Sequence, residues 1–484
     1  MPELFFIFVA FLSLVAFTKW RQGFYLATIV AFLQDPARKL TEEEPAYFIV
    51  FTGLVFGAAL IGAIHSNAPI GLRHISNWRR FLRTPFMLLM LVIAAQAFQS
   101  LARYDGLLIP VLGVVNYTAP FFALALAHAI AKGGTIQRLR SFLRFYVVCA
   151  VAALTTVYLQ TLGWETPVLG EVGVGIRIYD LGTVLTAYSG TFRASEIAAW
   201  HSATCACVIL LLVTEGRPTP ARLVLALALI AIVLSVGIMT GRRKLLVVFA
   251  LFVASYVALL ALLWRPARSI AFSAVIVGVL AYLVVFAGFG ASPSELADRS
   301  SEYQLYVQRV SGVFGDVPDR FIELGVAPIT WAYNHFGLLG GGIGIGTQGV
   351  QYITEIGGHI GAAEGGLGKI MLELGLPGLL AIGALGMAFM RHIWTLLADL
   401  PRRSERATRF ACGLTAILVA NGASFSVATQ AYGDIFILLF LGTCLGALLA
   451  MPALAERERG EQAHRFMRRL PVRSRAGHMI TSVH

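Results

Sequence analysis

The sequence predicts an all-α, polytopic membrane protein with 12 or 13 transmembrane helices. Of its 484 residues, 57% are hydrophobic and only 13% are charged, and the mean hydropathy is +0.75. An ordinary soluble domain has about 25% charged residues. The composition therefore excludes a water-soluble domain. The formal charge of +12 is interpreted as a topology signal in membrane loops and not as a nucleic-acid-binding surface.

Apolar segments close to the length that crosses a bilayer, about 20 residues, predict the spans. They fall at 3–18, 46–64, 84–100, 107–131, 141–163, 195–213, 222–240, 245–264, 268–289, 366–390, 408–430 and 433–453. A further apolar segment, 22–34, is short, so the count stays open only in the first 45 residues. The segment before Lys19 lacks the basic start and the cleavage site of a signal peptide, which predicts a retained first span.

Lysine and arginine fall in every second loop, which predicts the orientation of the chain. The basic loops follow the spans that end near residues 64, 131, 213, 264 and 390. These loops and the arginine-rich C-terminus are predicted to face the cytoplasm. The outward segments are then 101–106, 164–194, 240–244, 290–365 and 430–432. The chain is divided into N-terminal transmembrane helices (1–289), a large outer loop (290–365), C-terminal transmembrane helices (366–453) and a basic cytoplasmic tail (454–484).

Two outward segments carry cations on the side where the positive-inside rule predicts few. The turn between two spans holds Arg242, Arg243 and Lys244, and the preceding outer loop holds Arg177 and Arg193. Because arginine binds phosphate oxygens through paired hydrogen bonds, anion binding at the outer face is one interpretation. A second is that the side chains extend to lipid headgroups. A third is that the span count shifts by one here.

The large outer loop contains two distinct segments. Tyr303, Val307, Val310 and Phe314 recur at helical spacing, which predicts an amphipathic helix on or near the membrane surface. The later run Gly337–Gly346 superficially matches a dinucleotide-binding glycine pattern, but no strand–helix–strand unit accompanies it. Its glycines are interpreted as sites of tight turns and of close backbone approach to a ligand or a neighbouring helix.

Three charged residues lead from the outer loop into the next span. Lys369 and Glu373 are four residues apart, so on a helix they are predicted to form an ion pair on one face. Glu364 has no such local partner. It lies at the predicted water interface, where a carboxylate can stay ionised and accept a proton, so it is the better candidate for chemistry.

Other polar residues near the spans have structural interpretations. Glu196 follows Arg193 by three residues and is predicted to pair with it. His201 is interpreted as an internally bonded side chain, and Asn421 and Asp434 as interhelical hydrogen-bonding or helix-capping residues. The five cysteines lie in apolar segments and are interpreted as core residues. The outer loops hold no Asp/Glu cluster of metal-ligand type, so no metal is predicted.

An ordered set of motifs resembles a known family. Ser189-Gly-Thr-Phe-Arg193 leads into one span, Met239-Thr-Gly-Arg-Arg243 forms the turn between two spans, and Glu373-Leu-Gly-Leu-Pro-Gly378 follows the large outer loop. In this order the motifs resemble the O-antigen ligase and polysaccharide polymerase superfamily, which are multispan glycosyltransferases of the bacterial inner membrane. The resemblance covers about residues 180–390.

This resemblance implies glycosyl transfer at the periplasmic face from a glycan carried on undecaprenyl diphosphate. It also implies inversion at the anomeric carbon and a fold related to the C-type glycosyltransferases. No cofactor is predicted. Arg193 and Arg242 or Arg243 match the family's positions that bind the diphosphate. Further arginines are interpreted as contacts to the donor or the glycan: Arg177, Arg309 and Arg320.

The family usually has a histidine about nine residues before the glutamate that opens the last motif. Glu364 occupies that position here, and His359 lies five residues earlier. We therefore expect Glu364 to be the general base that deprotonates the acceptor hydroxyl, with His359 as the alternative. This departure from the family pattern favours a polymerase of lipid-linked repeat units over a ligase.

Three alternative functions stay open. An O-antigen-type ligase would transfer finished glycan to an acceptor. A transporter or flippase would carry intramembrane charges along a substrate path. A structural subunit of an envelope assembly would need neither activity. The predicted partners are the lipid-linked glycan, membrane lipids and a chain-length regulator or another polysaccharide export protein, and they do not include nucleic acid.

Overall fold

The computed structural model describes residues 2–104, 106–170, 172, 178–180, 183–185, 187–216, 219–242, 244–263, 321–347 and 365–469. Over these ranges the protein is a bundle of α-helices with one short β-hairpin. The first helices are α1 (Pro2–Thr18), α2 (Gly23–Lys39), α3 (Phe51–His65), α4 (Arg83–Arg103), α5 (Leu108–Lys132) and α6 (Ile136–Thr161). They are followed by α7 (Ser195–Thr214), α8 (Pro220–Met239), α9 (Lys244–Leu263), α10 (Ala327–Phe336), α11 (Gly366–Asp399), α12 (Glu405–Val427) and α13 (Ile435–Arg469).

The described helices have the length and surface of a membrane bundle. Ten helical segments in the described ranges are long and apolar enough to cross a membrane, and they coincide with ten of the predicted spans. Their outward faces leave large apolar side chains exposed, such as Leu225 at 70% and Met387 at 71%. A surface of this kind suits lipid. The prediction of a polytopic helical membrane protein is therefore confirmed, while the predicted span 268–289 lies outside the described residues.

Three helices extend past the predicted spans at ends that carry charged residues. Helix α6 begins at Ile136, α11 continues to Asp399, and α13 continues to Arg469. The apolar windows stop near the first charged residues, but arginine and glutamate are themselves good helix formers. The helices therefore continue beyond the segments that hydropathy alone identifies.

The first 45 residues form two helices, with a bend of 119° between them. Phe5 of α1 contacts Phe48 beside the start of α3, and Phe17 contacts His65 at the other end of α3, with ring centroids 5.7 and 5.6 Å apart. Helices α1 and α3 therefore run in the same direction. Helix α2 runs back in the opposite direction, because its last residue, Lys39, leads into the segment before the beginning of α3. The short apolar segment 22–34 is thus part of a longer helix that continues to Lys39.

Helices α5 and α13 pack closely through a pair of glycines. Gly442 and Gly446 of α13 lie against the backbone carbonyls of Pro120 and Leu124 of α5, where a side chain would not fit. Glycines four residues apart allow helices to approach closely in a membrane. This contact fixes α13, whose first turn reaches the candidate site described below.

Helix α11 is broken inside its span. Gly375 has φ 65° and ψ −167°, which is not helical, and Pro377 follows it. Because proline also lacks a backbone N–H, the helical hydrogen bonding is interrupted at this position. Elsewhere, β1 (Ile178–Asp180) and β2 (Thr183–Leu185) pair in an antiparallel hairpin within the predicted outer loop 164–194.

Candidate functional site

Three linked groups of polar residues lie at the helix ends that are predicted to face outward. They are an ion pair at the turn between α8 and α9, a buried ion cluster that joins α2, α7 and α13, and a glycine-rich loop inserted into the break of α11. We call this end of the bundle the predicted outer face.

Arg242 forms an ion pair with the first turn of α7. Its Nη2 lies 2.6 Å from Oε1 of Glu196, and its Nε donates a hydrogen bond to Oγ of Ser195 at 3.1 Å. Gly241, with φ 68°, allows the tight turn that aims the arginine back at α7. The Arg242 side chain remains 18% exposed, so an anion at this face could still reach its guanidinium.

The prediction that Glu196 pairs with Arg193 is wrong, because Glu196 pairs with Arg242 instead. Helix α7 begins only at Ser195, and the preceding Ala194 is extended, with φ −151° and ψ 148°. The three-residue spacing therefore does not place Arg193 and Glu196 on one helical face.

Arg193 lies in a buried ion cluster with two aspartates. Its Nη1 donates to Oδ2 of Asp434 at 2.6 Å and lies 3.7 Å from Oδ1 of Asp35, and its backbone N–H donates to Oδ2 of Asp35 at 3.0 Å. Each of these residues is less than 10% exposed. Burial lowers the pKa of the Arg193 guanidinium, but the carboxylates of Asp434 and Asp35 outweigh it and raise that pKa above its usual value.

Lys39 and Asp434 extend this cluster to the backbone around it. The Lys39 Nζ donates to the carbonyls of Gly190 and Phe192 at 2.8 and 2.6 Å. Oδ1 of Asp434 accepts from the backbone N–H groups of Phe436 and Ile437, which are the first free donors of α13. The predicted capping role of Asp434 is confirmed. The cluster therefore fixes α2, the entry to α7 and the start of α13 to one another.

A narrow pocket opens beside Arg242. Its lining residues are Glu196, Ala199, Trp200, Ala203, Arg242, Lys244, Val248, Ser424, Ala428, Gln430, Ala431 and Tyr432. Lys244 donates from Nζ to Oε1 of Gln430 at 3.5 Å, so two cations share this pocket with one carboxylate. The charged residues of the lining carry a net positive charge, and the other lining residues include Ala199, Ala203, Val248 and Ala431.

A hydrogen-bonded group of side chains supports the pocket wall. The Trp200 Nε1 donates to Oδ1 of Asn421 at 2.7 Å, and the Tyr432 hydroxyl donates to the carbonyl oxygen of Asn421 at 3.0 Å. All three side chains are buried, and burial raises the pKa of Tyr432. The predicted interhelical hydrogen bonding of Asn421 is confirmed, and it links Trp200 and Tyr432 at the pocket.

His201, the residue after Trp200 in α7, also has a buried polar partner. Its Nδ1 lies 3.1 Å from the Tyr146 hydroxyl, which confirms the predicted internal bonding of this histidine.

The glycine-rich loop 337–347 fills the break in α11. The Gly341 N–H donates to the Leu372 carbonyl at 2.7 Å, and the Leu376 N–H donates to the Leu338 carbonyl at 2.8 Å. These bonds satisfy backbone groups on both sides of Gly375 that the break would otherwise leave unpaired. Irregular backbone is tolerated at membrane depth where protein surrounds it in this way. The predicted close approach of these glycines to a neighbouring helix is confirmed.

Side chains of α4 hold the other side of the same loop. Gln96 Nε2 donates to the Leu339 carbonyl at 2.8 Å, Gln99 Nε2 donates to Gly340 at 2.9 Å, and Ser100 Oγ donates to Ile343 at 3.0 Å. Ile343 and Ile345 of the loop are almost completely buried. The loop is therefore an integral part of the bundle.

Glu373 and Lys369 lie against this loop. Oε1 of Glu373 accepts from the Gly346 N–H at 2.9 Å and from Oγ1 of Thr347 at 3.3 Å, and the carboxylate is completely buried near the Tyr117 hydroxyl. Within the described residues no ion pair joins Lys369 to Glu373, so that prediction is wrong. The backbone of Gly346 occupies the space beside both side chains and supplies the donor that the lysine was expected to provide.

The beginning of α11 connects the loop to the pocket beside Arg242. A Cβ on Gly365 would lie 1.7 Å from the Leu324 carbonyl oxygen and 3.1 Å from that of Ser426, and a Cβ on Gly366 would lie 2.2 Å from the Phe425 carbonyl oxygen, so no side chain would fit at either glycine. The Phe425 ring contacts Tyr432, with centroids 5.4 Å apart. The three groups of residues are therefore parts of one continuous outer surface.

Two of the predicted site residues, Arg193 and Arg242, lie at this surface, one buried and one accessible. The others lie outside the described residues: Arg177, Arg243, Arg309, Arg320, His359 and Glu364. Asp35 and Lys39 were not predicted as site residues from the sequence. The signal that could have identified them is their charge next to an apolar segment.

In the described ranges, no group of three or more His, Cys, Asp or Glu residues could hold a metal ion. A comparison with protein-family models and with curated proteins found no match to this chain.

Proposed function

We propose that this protein is a membrane-embedded glycosyltransferase that polymerises lipid-diphosphate-linked oligosaccharide repeat units at its predicted outer face. The resemblance in sequence motifs suggested this class. The observation that supports it best in the folded chain is the partly exposed Arg242, held by Glu196 at a turn that the predicted topology places outside, where cations are disfavoured.

Arg242 is better suited than Arg193 to bind the diphosphate. Arg193 already has two buried carboxylates as partners, so a phosphate would have to displace them. Arg242 has one carboxylate partner and an open side, and Lys244 shares its pocket. We propose that Arg242 and the neighbouring Arg243 bind the diphosphate and that Arg193 positions the helices around them.

The proposed reaction is a single displacement. The acceptor hydroxyl oxygen forms a bond to the anomeric carbon while the bond from that carbon to the diphosphate oxygen breaks. The diphosphate leaves with the bonding electron pair, and Arg242 stabilises its developing charge. The hydroxyl proton passes to a general base, for which Glu364 is our first candidate and His359 our second.

Our proposal includes a topology with 12 or 13 spans, a large periplasmic loop and a cytoplasmic C-terminus in a bacterial inner membrane, in a fold related to the C-type glycosyltransferases. The lipid-linked glycan and membrane lipids are the proposed partners, together with a chain-length regulator or another polysaccharide export protein.

The decisive experiment compares the glycans of a strain that lacks the protein with those of the complemented strain. A polymerase predicts that long polymer disappears while single repeat units accumulate on the lipid diphosphate. Long polymer stranded on the lipid carrier would indicate a ligase instead. Unchanged glycans and unchanged lipid-linked intermediates would contradict glycosyl transfer.

A transporter is the second candidate, and the break in α11 is the observation that favours it. Discontinuous helices with unwound backbone often form ion and substrate sites in transporters, and Lys369 and Glu373 lie beside this break. Uptake of a labelled substrate into vesicles that contain the purified protein, without any change in glycan length, would support transport over transfer.

A further inference from the structure

A large cavity lies at the opposite end of the bundle from Arg242, between the beginning of α6, the end of α7 and the beginning of α8. Its volume is about 830 Å³, within the range of about 300–1,000 Å³ that is common for small-molecule sites. The polar residues of its wall are Gln137, Arg140, Arg144, Glu215, Arg222 and Arg406.

The cavity wall has a surplus of positive charge. Four arginines face one glutamate among its lining residues, which leaves three positive charges. Glu215 is buried, and its Oε1 lies 2.6 Å from Arg140 Nε and 3.4 Å from Arg406 Nη2. Outside the lining, Glu458 lies 3.7 Å from Arg406. Even with Glu458 included, the arginines outnumber the carboxylates by two.

Arg144 and Arg222 carry the uncompensated charge. Within the described residues, neither has a carboxylate within 4.0 Å, and both side chains are exposed. Both also lie close enough to Arg140 for their charges to repel it. Such mutual repulsion costs stability unless an anion occupies the space between the arginines.

The rest of the cavity is apolar and reaches the exposed surface of α8. Its walls include Leu212, Leu225 and Leu229, and Leu225 is 70% exposed on the outer surface of α8. A soluble phosphate compound has no hydrocarbon part to pack against such walls. A molecule with a phosphate next to hydrocarbon would fit both parts of the cavity.

We propose that this cavity binds an anionic phospholipid, with the phosphodiester between Arg144, Arg222 and Arg140 and an acyl chain along the leucines of α7 and α8. Basic pockets between transmembrane helices commonly bind anionic headgroups, and arginine binds phosphate oxygens through paired hydrogen bonds. This inference does not depend on the proposed glycosyl transfer, because it concerns the other end of the bundle.

The test measures lipid binding to the purified full chain by native mass spectrometry in detergent. The probes are phosphatidylglycerol, phosphatidylcholine of the same acyl length, and glycerol phosphate. We expect phosphatidylglycerol to bind more tightly than either of the other two. Equal binding of phosphatidylcholine would overturn the proposed charge recognition, and equal binding of glycerol phosphate would assign the site to a soluble phosphate compound.

The matched variants are Arg144→Gln with Arg222→Gln inside the cavity, and Arg73→Gln with Arg79→Gln outside it. All four side chains are exposed, and each double variant removes the same charge. We expect the cavity variant to bind phosphatidylglycerol about 25-fold more weakly, about fivefold for each cation, and the control to bind it normally. Equal binding by the two double variants would overturn the proposal.

Discussion

The buried Glu373 carboxylate accepts a hydrogen bond from the backbone N–H of Gly346 at 2.9 Å. This contact joins the broken helix α11 to the loop that fills its break. Two neighbouring backbone hydrogen bonds, from Gly341 to Leu372 and from Leu376 to Leu338, connect the same loop to the same helix. Because the loop supplies the partners that the break removes, the loop and the broken helix should be stable only together.

We expect Gly340→Ala to destabilise the protein by about 1–3 kcal/mol. Gly340 has φ 76°, and a Cβ there would lie 2.7 Å from the backbone nitrogen of Gly375. The loop would have to move out of the break to accommodate it. The measurement is the thermal unfolding of the purified protein in detergent. Gly386→Ala in α11 is the control, because nothing lies within 4 Å of a Cβ at that position. Equal melting temperatures for the two variants would contradict this account.

Substitutions of Glu373 should separate its hydrogen bonding from its charge. Glu373→Gln keeps an oxygen that can accept from Gly346 and Thr347, whereas Glu373→Leu leaves these buried donors unpaired, at a cost of about 1–3 kcal/mol. We expect the leucine variant to melt at a lower temperature and to become sensitive to protease at loop 337–347. If the glutamine variant is destabilised as much as the leucine variant, the negative charge itself holds the loop.

The spans could be predicted from the sequence because each is a local run of apolar residues. The glycines of loop 337–347 were also correctly expected to approach a helix closely, since no other residue type permits it. The partners of these residues could not be predicted. Asp35 and Asp434 lie 158 and 241 residues from Arg193, so no local spacing links them.

Short spacing was misleading at two other positions. Glu196 and Lys369 each have an oppositely charged residue three or four positions away in the sequence, yet neither pairs with it. For Glu196 the helix begins too late, and for Lys369 an inserted backbone segment binds the expected carboxylate partner. Both causes depend on the assembled bundle, which the sequence pattern does not contain.

Arg193→Ala should prevent stable folding. It would leave the buried carboxylates of Asp35 and Asp434 without their arginine, and breaking a buried ion pair from one side costs about 3–5 kcal/mol. We expect little folded protein in the membrane, as measured by fluorescence-detected size exclusion. Adding Asp434→Asn should restore part of the yield, because it removes one of the unpaired charges. Normal yield and melting temperature for Arg193→Ala alone would show that the cluster is dispensable for folding.

Arg242→Ala should lose activity while still yielding folded protein. The Arg242 side chain is 18% exposed and the Ser195 hydroxyl lies beside the Glu196 carboxylate, so we expect a smaller loss of stability than for Arg193→Ala, where two buried carboxylates lose their partner. If Arg242 stabilises the leaving diphosphate, its removal should slow repeat-unit transfer in vesicles by about 100-fold. Arg242→Lys should recover part of this rate, because lysine restores the charge without the paired hydrogen bonds. Arg73→Ala, which removes an exposed arginine at the opposite face, is the control. An unchanged transfer rate in a folded Arg242→Ala protein would assign the ion pair with Glu196 to structure and would leave the diphosphate to be bound elsewhere.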